Sequence, residues 1–201
     1  TTGDKNAAFG HSAGKSLTNS EDNCAFGFDA LRDNTTGNGN TAIGMNALEE
    51  MNGGWANTAI GQGTLSSVSN CTGNVAVGYG AGGSINGGNY NVSIGWLALR
   101  SNYSSPCSNS VGIGYEALNQ TAGNDNVGVG YQAGHDISTG TDNTCIGQKA
   151  GDKLTAGANN LILGHDAAAS SVTVDNEITL GDTAITKFRI PGLNFSLKDT
   201  T

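Results

Sequence analysis

Charged residues are scarce in this chain of 201 residues, and positive charge is the scarcest. Nine lysines and arginines stand against seventeen aspartates and glutamates, which gives a net charge of −8. Because nucleic-acid binding needs a basic surface, we expect no nucleic-acid partner. No apolar run approaches the roughly 20 residues that a membrane-spanning helix requires, so we expect no membrane insertion.

Proline, histidine and cysteine are also rare, with two, three and four residues respectively. The cysteines are Cys24, Cys71, Cys107 and Cys145, and no two of them form a Cys-x-x-Cys pair. We expect four free thiols, with a strained Cys71–Cys107 bond as the alternative. Neither a metal site nor a cofactor is expected. The acidic side chains are scattered and no Ser-His-Asp or Cys-His grouping recurs, so we do not expect an enzyme.

What the sequence does contain is a tandem repeat. Residues 40–48, Asn-Thr-Ala-Ile-Gly-Met-Asn-Ala-Leu, recur with substitutions along the whole chain, and the glycine of each copy is taken here as position 0. Most of these glycines lie 17 residues apart, with one step of 19 and one of 16: Gly10, Gly27, Gly44, Gly61, Gly78, Gly95, Gly114, Gly130, Gly147, Gly164 and Gly181. A fixed period below 20 residues with one short strand per unit is typical of a β-solenoid. The sequence therefore predicts an all-β fold, a parallel β-solenoid (β-roll or β-helix) of about eleven 17-residue coils over 1–185, with a cap or connector over 186–201.

Each coil shows an alternation of side-chain size before its glycine. Position −1 is always large and apolar, as in Ile43, whereas position −2 is small in most coils, as in Ala42. Positions −1 and −3 share one face of a strand, and we expect that face to point into the core. The small −2 column is then expected to let another surface approach closely, either a neighbouring subunit or the coil's other wall. The glycine is expected to bend the chain sharply or to adopt positive φ.

An asparagine precedes nearly every strand, at position −4. Stacked coil on coil, these amides are expected to hydrogen-bond into a structural ladder. Its members are Asn23, Asn40, Asn57, Asn74, Asn91, Asn126, Asn143 and Asn160. N-glycosylation of Asn-x-Ser/Thr triplets, such as Asn34-Thr35-Thr36, is the alternative use of asparagine here.

Position +1 carries a run of large side chains that could bind a ligand. Its members are Phe28, Met45, Gln62, Tyr79, Trp96, Tyr115 and Tyr131, one coil apart. Aromatic rings at that spacing can stack on sugar rings, although they can equally pack on one another or on a neighbouring subunit. The candidate receptor-binding residues are Trp96, Tyr115 and Tyr131, together with Tyr103 of the longest loop.

The repeated Asn-x-Ala-Ile-Gly-x-x-Ala motif resembles the head repeats of trimeric autotransporter adhesins and, in its 17-residue period, the repeats of phage and virus tail-fibre proteins. The resemblance implies three parallel chains side by side and a non-enzymatic fibre segment that presents a receptor-binding surface. The implied partners are two further copies of this chain, a host cell-surface glycan or other receptor, and other fibre proteins. The implied location is a virion tail fibre or, alternatively, a bacterial surface, where the chain would be an adhesin head.

An ice-binding solenoid is a lower-ranked alternative. Such a surface needs a flat face of regularly repeated threonines. Only Thr41, Thr58 and Thr144 share position −3, and valines interrupt them.

Overall fold

The computed structural model describes residues 3–101 and 106–188, and eleven three-residue strands run through them. In chain order they are β1 Ala7–Phe9, β2 Cys24–Phe26, β3 Thr41–Ile43, β4 Thr58–Ile60, β5 Val75–Val77, β6 Val92–Ile94, β7 Val111–Ile113, β8 Val127–Val129, β9 Thr144–Ile146, β10 Leu161–Leu163 and β11 Ile178–Leu180. All pair in parallel and in sequence order, in a single sheet. The chain is therefore an all-β solenoid of about ten turns, as the repeat predicts. The predicted cap over 186–201 lies, from 189 onward, outside the described residues.

The predicted orientation of the strands is wrong. The −2 residue, not the −1 and −3 pair, points into the core: Ala42 is fully buried, whereas Ile43 is 38% exposed and Thr41 is half-buried. The same arrangement holds from β2 to β10, where every −2 residue is buried. The small column is thus the inward face, and the larger apolar columns face outward.

The physical reason is the thinness of each coil. A Cβ added at Gly128, a −2 position, would lie 2.8 Å from the backbone oxygen of Ala133 on the opposite wall and 2.8 Å from Cγ of Leu118. An interior this narrow admits alanine-sized side chains from the strand and leucine from the opposite wall. Isoleucine and phenylalanine at every −1 position could not fit there, so they face outward.

Size compensation in the core supports the same conclusion. The opposite wall is built from position +3, mostly alanine, and position +4, which is leucine in five coils, as in Leu48. Position +4 is glycine in the coil that precedes a larger inward strand residue: Gly134 precedes Cys145, and Gly151 precedes Ile162. A Cβ at Gly151 would lie 2.6 Å from Sγ of Cys145 and 3.0 Å from Cδ1 of Ile162. Large and small side chains therefore alternate across the core to keep it filled.

The glycine at position 0 makes the turn out of the strand, as expected. Gly61 has φ +130°, and a Cβ there would lie 2.5 Å from the carbonyl oxygen of Gly78 in the next coil. The coils touch along this column, backbone against backbone. Only glycine combines that conformation with that approach.

The asparagines at position −4 are hydrogen-bonded from coil to coil. The backbone N–H and Nδ2 of Asn40 both donate to Oδ1 of Asn23, at 2.9 and 3.1 Å, and Nδ2 also donates to the carbonyl oxygen of Gly54 at 2.9 Å. This pattern repeats from Asn23 through Asn91 and from Asn126 to Asn160. Between the two runs Ser110 takes the place of an asparagine, and its Oγ accepts from the N–H of Asn126 at 3.2 Å.

All four cysteines are free thiols. Cys71, Cys107 and Cys145 are buried, whereas Cys24, at position −3 on the outward strand face, is exposed. Burial raises the pKa of Cys71 to about 11 and the pKa values of Cys107 and Cys145 to about 12. The alternative Cys71–Cys107 bond is not present.

These raised pKa values predict that the protein loses stability in alkali. The native thiols stay protonated above their unfolded pKa of 9.0, whereas the unfolded chain ionises, so their contribution is complete below about pH 9 and is lost as pH rises towards 12. Urea unfolding at pH 8 and pH 10.5 measures this. The control is the triple variant Cys71→Gly, Cys107→Gly and Cys145→Ala, which lacks the three buried thiols. Each replacement is the residue that other coils carry at the same position of the repeat. An equal alkaline loss in both proteins would contradict the prediction.

No helix long and apolar enough to cross a membrane occurs in residues 3–101 and 106–188.

Candidate functional site: a groove beside stacked aromatic side chains

The +1 residues are exposed, immediately beyond the turn that the position-0 glycine makes. Trp96 is 50% exposed, Tyr115 43% and Tyr131 45%. Tyr103, the fourth candidate receptor-binding residue, lies outside the described residues. Three large rings of the predicted site are thus accessible on one side of the solenoid.

The aromatic stripe is divided into separate stacks. Tyr79 and Trp96 stack with ring centroids 4.2 Å apart, and Tyr115 and Tyr131 stack at 5.2 Å. Within the described part of the chain no ring contact joins Trp96 to Tyr115. The structure therefore does not bring the predicted three rings into one cluster, and Tyr79, which was not among the predicted site residues, is the stacking partner of Trp96.

A groove of about 440 Å³ begins at the Tyr79–Trp96 stack and crosses coils 3 to 6, a coil being numbered by its strand. Its lining mixes aromatic, charged, amide and hydroxyl groups with glycine backbone, and includes Gln62, Glu49 and Arg100. The volume falls within the 300–1,000 Å³ that small-molecule sites occupy.

Two columns of residues account for the groove. Position +2 is Asn46 in coil 3, Gly63 and Gly80 in coils 4 and 5, and Leu97 in coil 6. Position +5 follows the same course, with Glu49, then Ser66 and Gly83, then Arg100. Side chains are therefore missing or short in the same two coils, and longer ones close both ends. This coincidence is visible in the sequence once the repeats are aligned, but a search for aromatic residues alone does not find it.

Gly63 is not required by the backbone at its position. Its φ is +65°, and a Cβ there would meet nothing within 4 Å. Eight other coils place a non-glycine residue at position +2 with φ between 50° and 58°: Ser12, Asp29, Asn46, Leu97, Glu116, Gln132, Lys149 and Asp166. The fold tolerates side chains in this conformation, so the glycine serves to leave space.

The charged groups at the two ends of the groove differ in their partners. Glu49 accepts hydrogen bonds from Arg32 and Asn46. Arg32 also binds Asp29 at 3.2 Å and Asp33 at 2.8 Å, and its guanidinium holds the pKa of Asp33 below its usual value. Arg100, by contrast, is exposed, and no carboxylate of the described residues forms an ion pair with it. Because no described carboxylate pairs with it, the guanidinium can donate hydrogen bonds to a ligand.

A different set of polar side chains lies beside the Tyr115–Tyr131 stack. Gln132 donates to the Glu116 carboxylate at 2.8 Å, and His135 lies 3.8 Å from the same carboxylate. A hydrogen bond to Glu116 raises the pKa of Tyr115. The polar side chains beside this stack are therefore partners of one another, and the groove does not extend to them.

The outward strand face is a second candidate surface. The eleven strands have three residues each, and none of these 33 residues carries a charge. The −1 column presents exposed apolar side chains along the whole solenoid: Phe9, Phe26, Ile43, Ile60, Ile94, Ile113, Ile146 and Leu180 are between 36% and 70% exposed. An uncharged apolar strip of this length on one side of a thin solenoid is typical of a contact surface.

Comparison of the chain with protein-family models, with curated proteins and with solved structures gave no match in any of the three. The groove and the outward strand face are therefore the basis of the proposed function.

Proposed function

We propose that this chain is a structural segment of a trimeric fibre or adhesin, in which three parallel copies pack through their strand faces and hold a receptor-binding surface outward. The observation that carries the proposal is the outward strand face, whose −1 and −3 columns are uncharged over all eleven strands. The resemblance of the repeats to tail-fibre proteins and adhesin heads favours a virion tail fibre first and a bacterial surface second.

The size of this face supports association. Ten coil-to-coil steps of about 4.8 Å give a length of roughly 50 Å, and a three-residue strand is about 10 Å wide. The strip therefore covers about 500 Å², which is as large as the largest apolar patch of a typical monomer. Contact with further copies would remove Phe26, Ile60 and Ile94 from water.

Threefold symmetry suits the two outward columns. Around an axis parallel to the solenoid, each chain has two neighbours, and the −1 and −3 columns can contact one neighbour each. Parallel chains keep equal coils at equal height, so the columns meet in register over the full length. The loops and the +1 side chains, including Tyr79 and Trp96, then remain available outside.

A charge placed on the strand face tests the assembly. Ile94→Lys should convert the trimer to a monomer, because three buried ammonium groups would lie close together around the axis. Light scattering over a range of concentrations measures the mass. The matched control is Gln148→Lys, which adds the same charge at an exposed +1 position and should remain trimeric. A wild-type protein that is monomeric at every concentration would contradict the proposal.

Attachment should depend on the assembly. Three copies of a weak site bind a surface with receptors far more tightly than one copy does, provided the receptors can be spanned together. Labelled wild-type protein should therefore bind receptor-bearing cells much more tightly than the Ile94→Lys monomer. Equal binding would show that attachment does not use the trimer.

A further inference from the structure

The geometry points to the groove over coils 3 to 6 as a binding site for a neutral saccharide, with Gly63 and Gly80 making the space, Tyr79 supplying the stacking face, and Arg100, Gln62 and the serine hydroxyls supplying hydrogen bonds. This inference rests on the proposed function, since it names the class of receptor that the fibre segment would bind.

The stacking face follows from the direction of the aromatic pair. Tyr79 belongs to coil 5 and Trp96 to coil 6, and their rings stack coil on coil. The other face of Tyr79 therefore points along the solenoid towards coil 4, where the +1 residue is Gln62 and carries no ring. That is also where the groove runs. An exposed tyrosine face beside an open groove suits the C–H face of a sugar ring.

The hydrogen-bonding groups suit a ligand whose hydroxyls both donate and accept. Gln62 and the side chains of Ser66, Ser67 and Ser84 line the groove, and none of them has a side-chain hydrogen bond to another described residue. An amide and hydroxyls that are not used within the protein can bind sugar hydroxyls in either direction.

The charges favour a neutral ligand. Arg100 lies at one end of the groove and Glu49 at the other, and Glu49 belongs to a cluster in which Arg32 faces three carboxylates. An anionic sugar would approach this acidic cluster, and a cationic ligand would approach Arg100. An ion of either sign would meet one attractive and one repulsive end, so the groove favours neither sign of charge, and a neutral hexose or N-acetylhexosamine is the class that the lining accommodates.

The short side chains at positions +2 and +5 of coils 4 and 5 keep the groove open. Positions +2 and +5 hold larger residues in the flanking coils, and Gly63 lies in a conformation that non-glycine residues adopt elsewhere in the same column. Neither the backbone nor the core, which lies on the other side of this wall, requires a glycine at Gly63. The groove also lies beside Tyr79 and Trp96, whose ring centroids are the closest of the stacked pairs in the described residues, at 4.2 Å.

The test fills the groove without changing the fold. Gly63→Asn introduces the residue that coil 3 already carries at this position, and Lys149→Asn makes the same residue at position +2 of coil 9, outside the groove. Both proteins, with the wild type, are applied to an array of neutral hexose and N-acetylhexosamine oligosaccharides and their sialylated counterparts. We expect the wild type and Lys149→Asn to bind neutral saccharides equally, and Gly63→Asn to bind at least 10-fold more weakly.

Fluorescence locates the binding. In a Trp55→Phe background, Trp96 is the one remaining tryptophan of the two in the chain. Titration with the bound saccharide should change the Trp96 emission, and Gly63→Asn should remove the change. Binding that is equal in Gly63→Asn and the wild type, binding of sialylated glycans alone, or no binding of any neutral saccharide would each overturn the inference.

The mass measured by light scattering separates this inference from the proposed function. A trimer that binds no neutral saccharide would overturn the groove assignment and leave the fibre assembly standing. A monomer that binds neutral saccharides through the groove would overturn the assembly and leave the groove assignment standing.

Discussion

Gly61→Ala is expected to lower the free energy of unfolding by roughly 3–6 kcal/mol, or to prevent folding altogether, because two costs add at one position. The backbone has φ +130°, which an alanine does not readily adopt. The new Cβ would also lie 2.5 Å from the carbonyl oxygen of Gly78, so coils 4 and 5 would have to separate. Urea unfolding followed by circular dichroism, at fixed protein concentration, measures the loss.

The control for Gly61→Ala is two residues away. Gly63→Ala adds the same methyl group where a Cβ meets nothing within 4 Å, in a conformation that eight other coils fill with non-glycine residues. Its stability should change by less than about 1 kcal/mol. Equal losses in the two variants would mean that the coils are not in backbone contact at position 0.

Asn57→Ala is expected to cost roughly 2–5 kcal/mol. The fully buried side chain donates from Nδ2 to Oδ1 of Asn40 at 3.0 Å and to the carbonyl oxygen of Cys71 at 2.8 Å, and its own Oδ1 accepts from the N–H of Asn74 at 3.0 Å. Alanine would leave the Cys71 carbonyl and the Asn74 N–H buried without partners. The free energy of unfolding in urea, compared with the wild type, gives the result.

The matched control for the ladder is an exposed asparagine that also bonds across coils. Oδ1 of Asn52 accepts from the backbone N–H of Thr35 at 3.3 Å, but the site is open to water. Water can replace the amide there, so Asn52→Ala should cost less than about 1 kcal/mol. If Asn57→Ala costs no more than Asn52→Ala, the buried ladder does not hold the coils together.

The fold could be predicted from the sequence because its signal is repeated eleven times. The 17-residue spacing of glycine and asparagine sets the register of every strand pair, so that Thr41 pairs with Thr58 and Ile43 with Ile60, one period apart. The backbone turn at Gly61 also follows from the repeat. The repeat period determines the strand register and the position of the turn, regardless of which side chains point into the core.

The inward face could not be predicted from side-chain size alone. Burial of apolar surface stabilises most folds, so the sequence pattern predicts that the large apolar residues lie in the core. The interior of this coil is too narrow for that assignment, and Ala42 takes the place expected for Ile43. The sequence does contain an indication of the true inward face. Strands whose side chains are alanine-sized on one face allow the two walls of a solenoid to lie close together.

The sequence indicates some features of the candidate surface and not others. The exposure of Trp96, Tyr115 and Tyr131 agrees with a stripe of rings at one position of the repeat. Whether neighbouring rings stack depends on side-chain torsions, which the spacing does not determine, and Tyr79 rather than Tyr115 stacks on Trp96. The groove comes from Gly63 and Gly80, residues without side chains, so a search for reactive or aromatic groups misses it.

Cross-linking through Cys24 tests the central claim, that three parallel copies contact through the strand face. Cys24 is the only exposed thiol among the four cysteines, and it lies on that face in coil 2. In a parallel trimer the three thiols lie at one height around the axis. A short bismaleimide joins two chains at a time, so about two thirds of the chains should become covalent dimers and about one third should stay single.

The Cys24→Ser variant should give no cross-linked product, because the other three thiols are buried. Conversion of all chains to dimers would indicate a twofold assembly. Rapid labelling of Cys24 with no cross-linked chains, at concentrations where the mass is that of a monomer, would contradict the account.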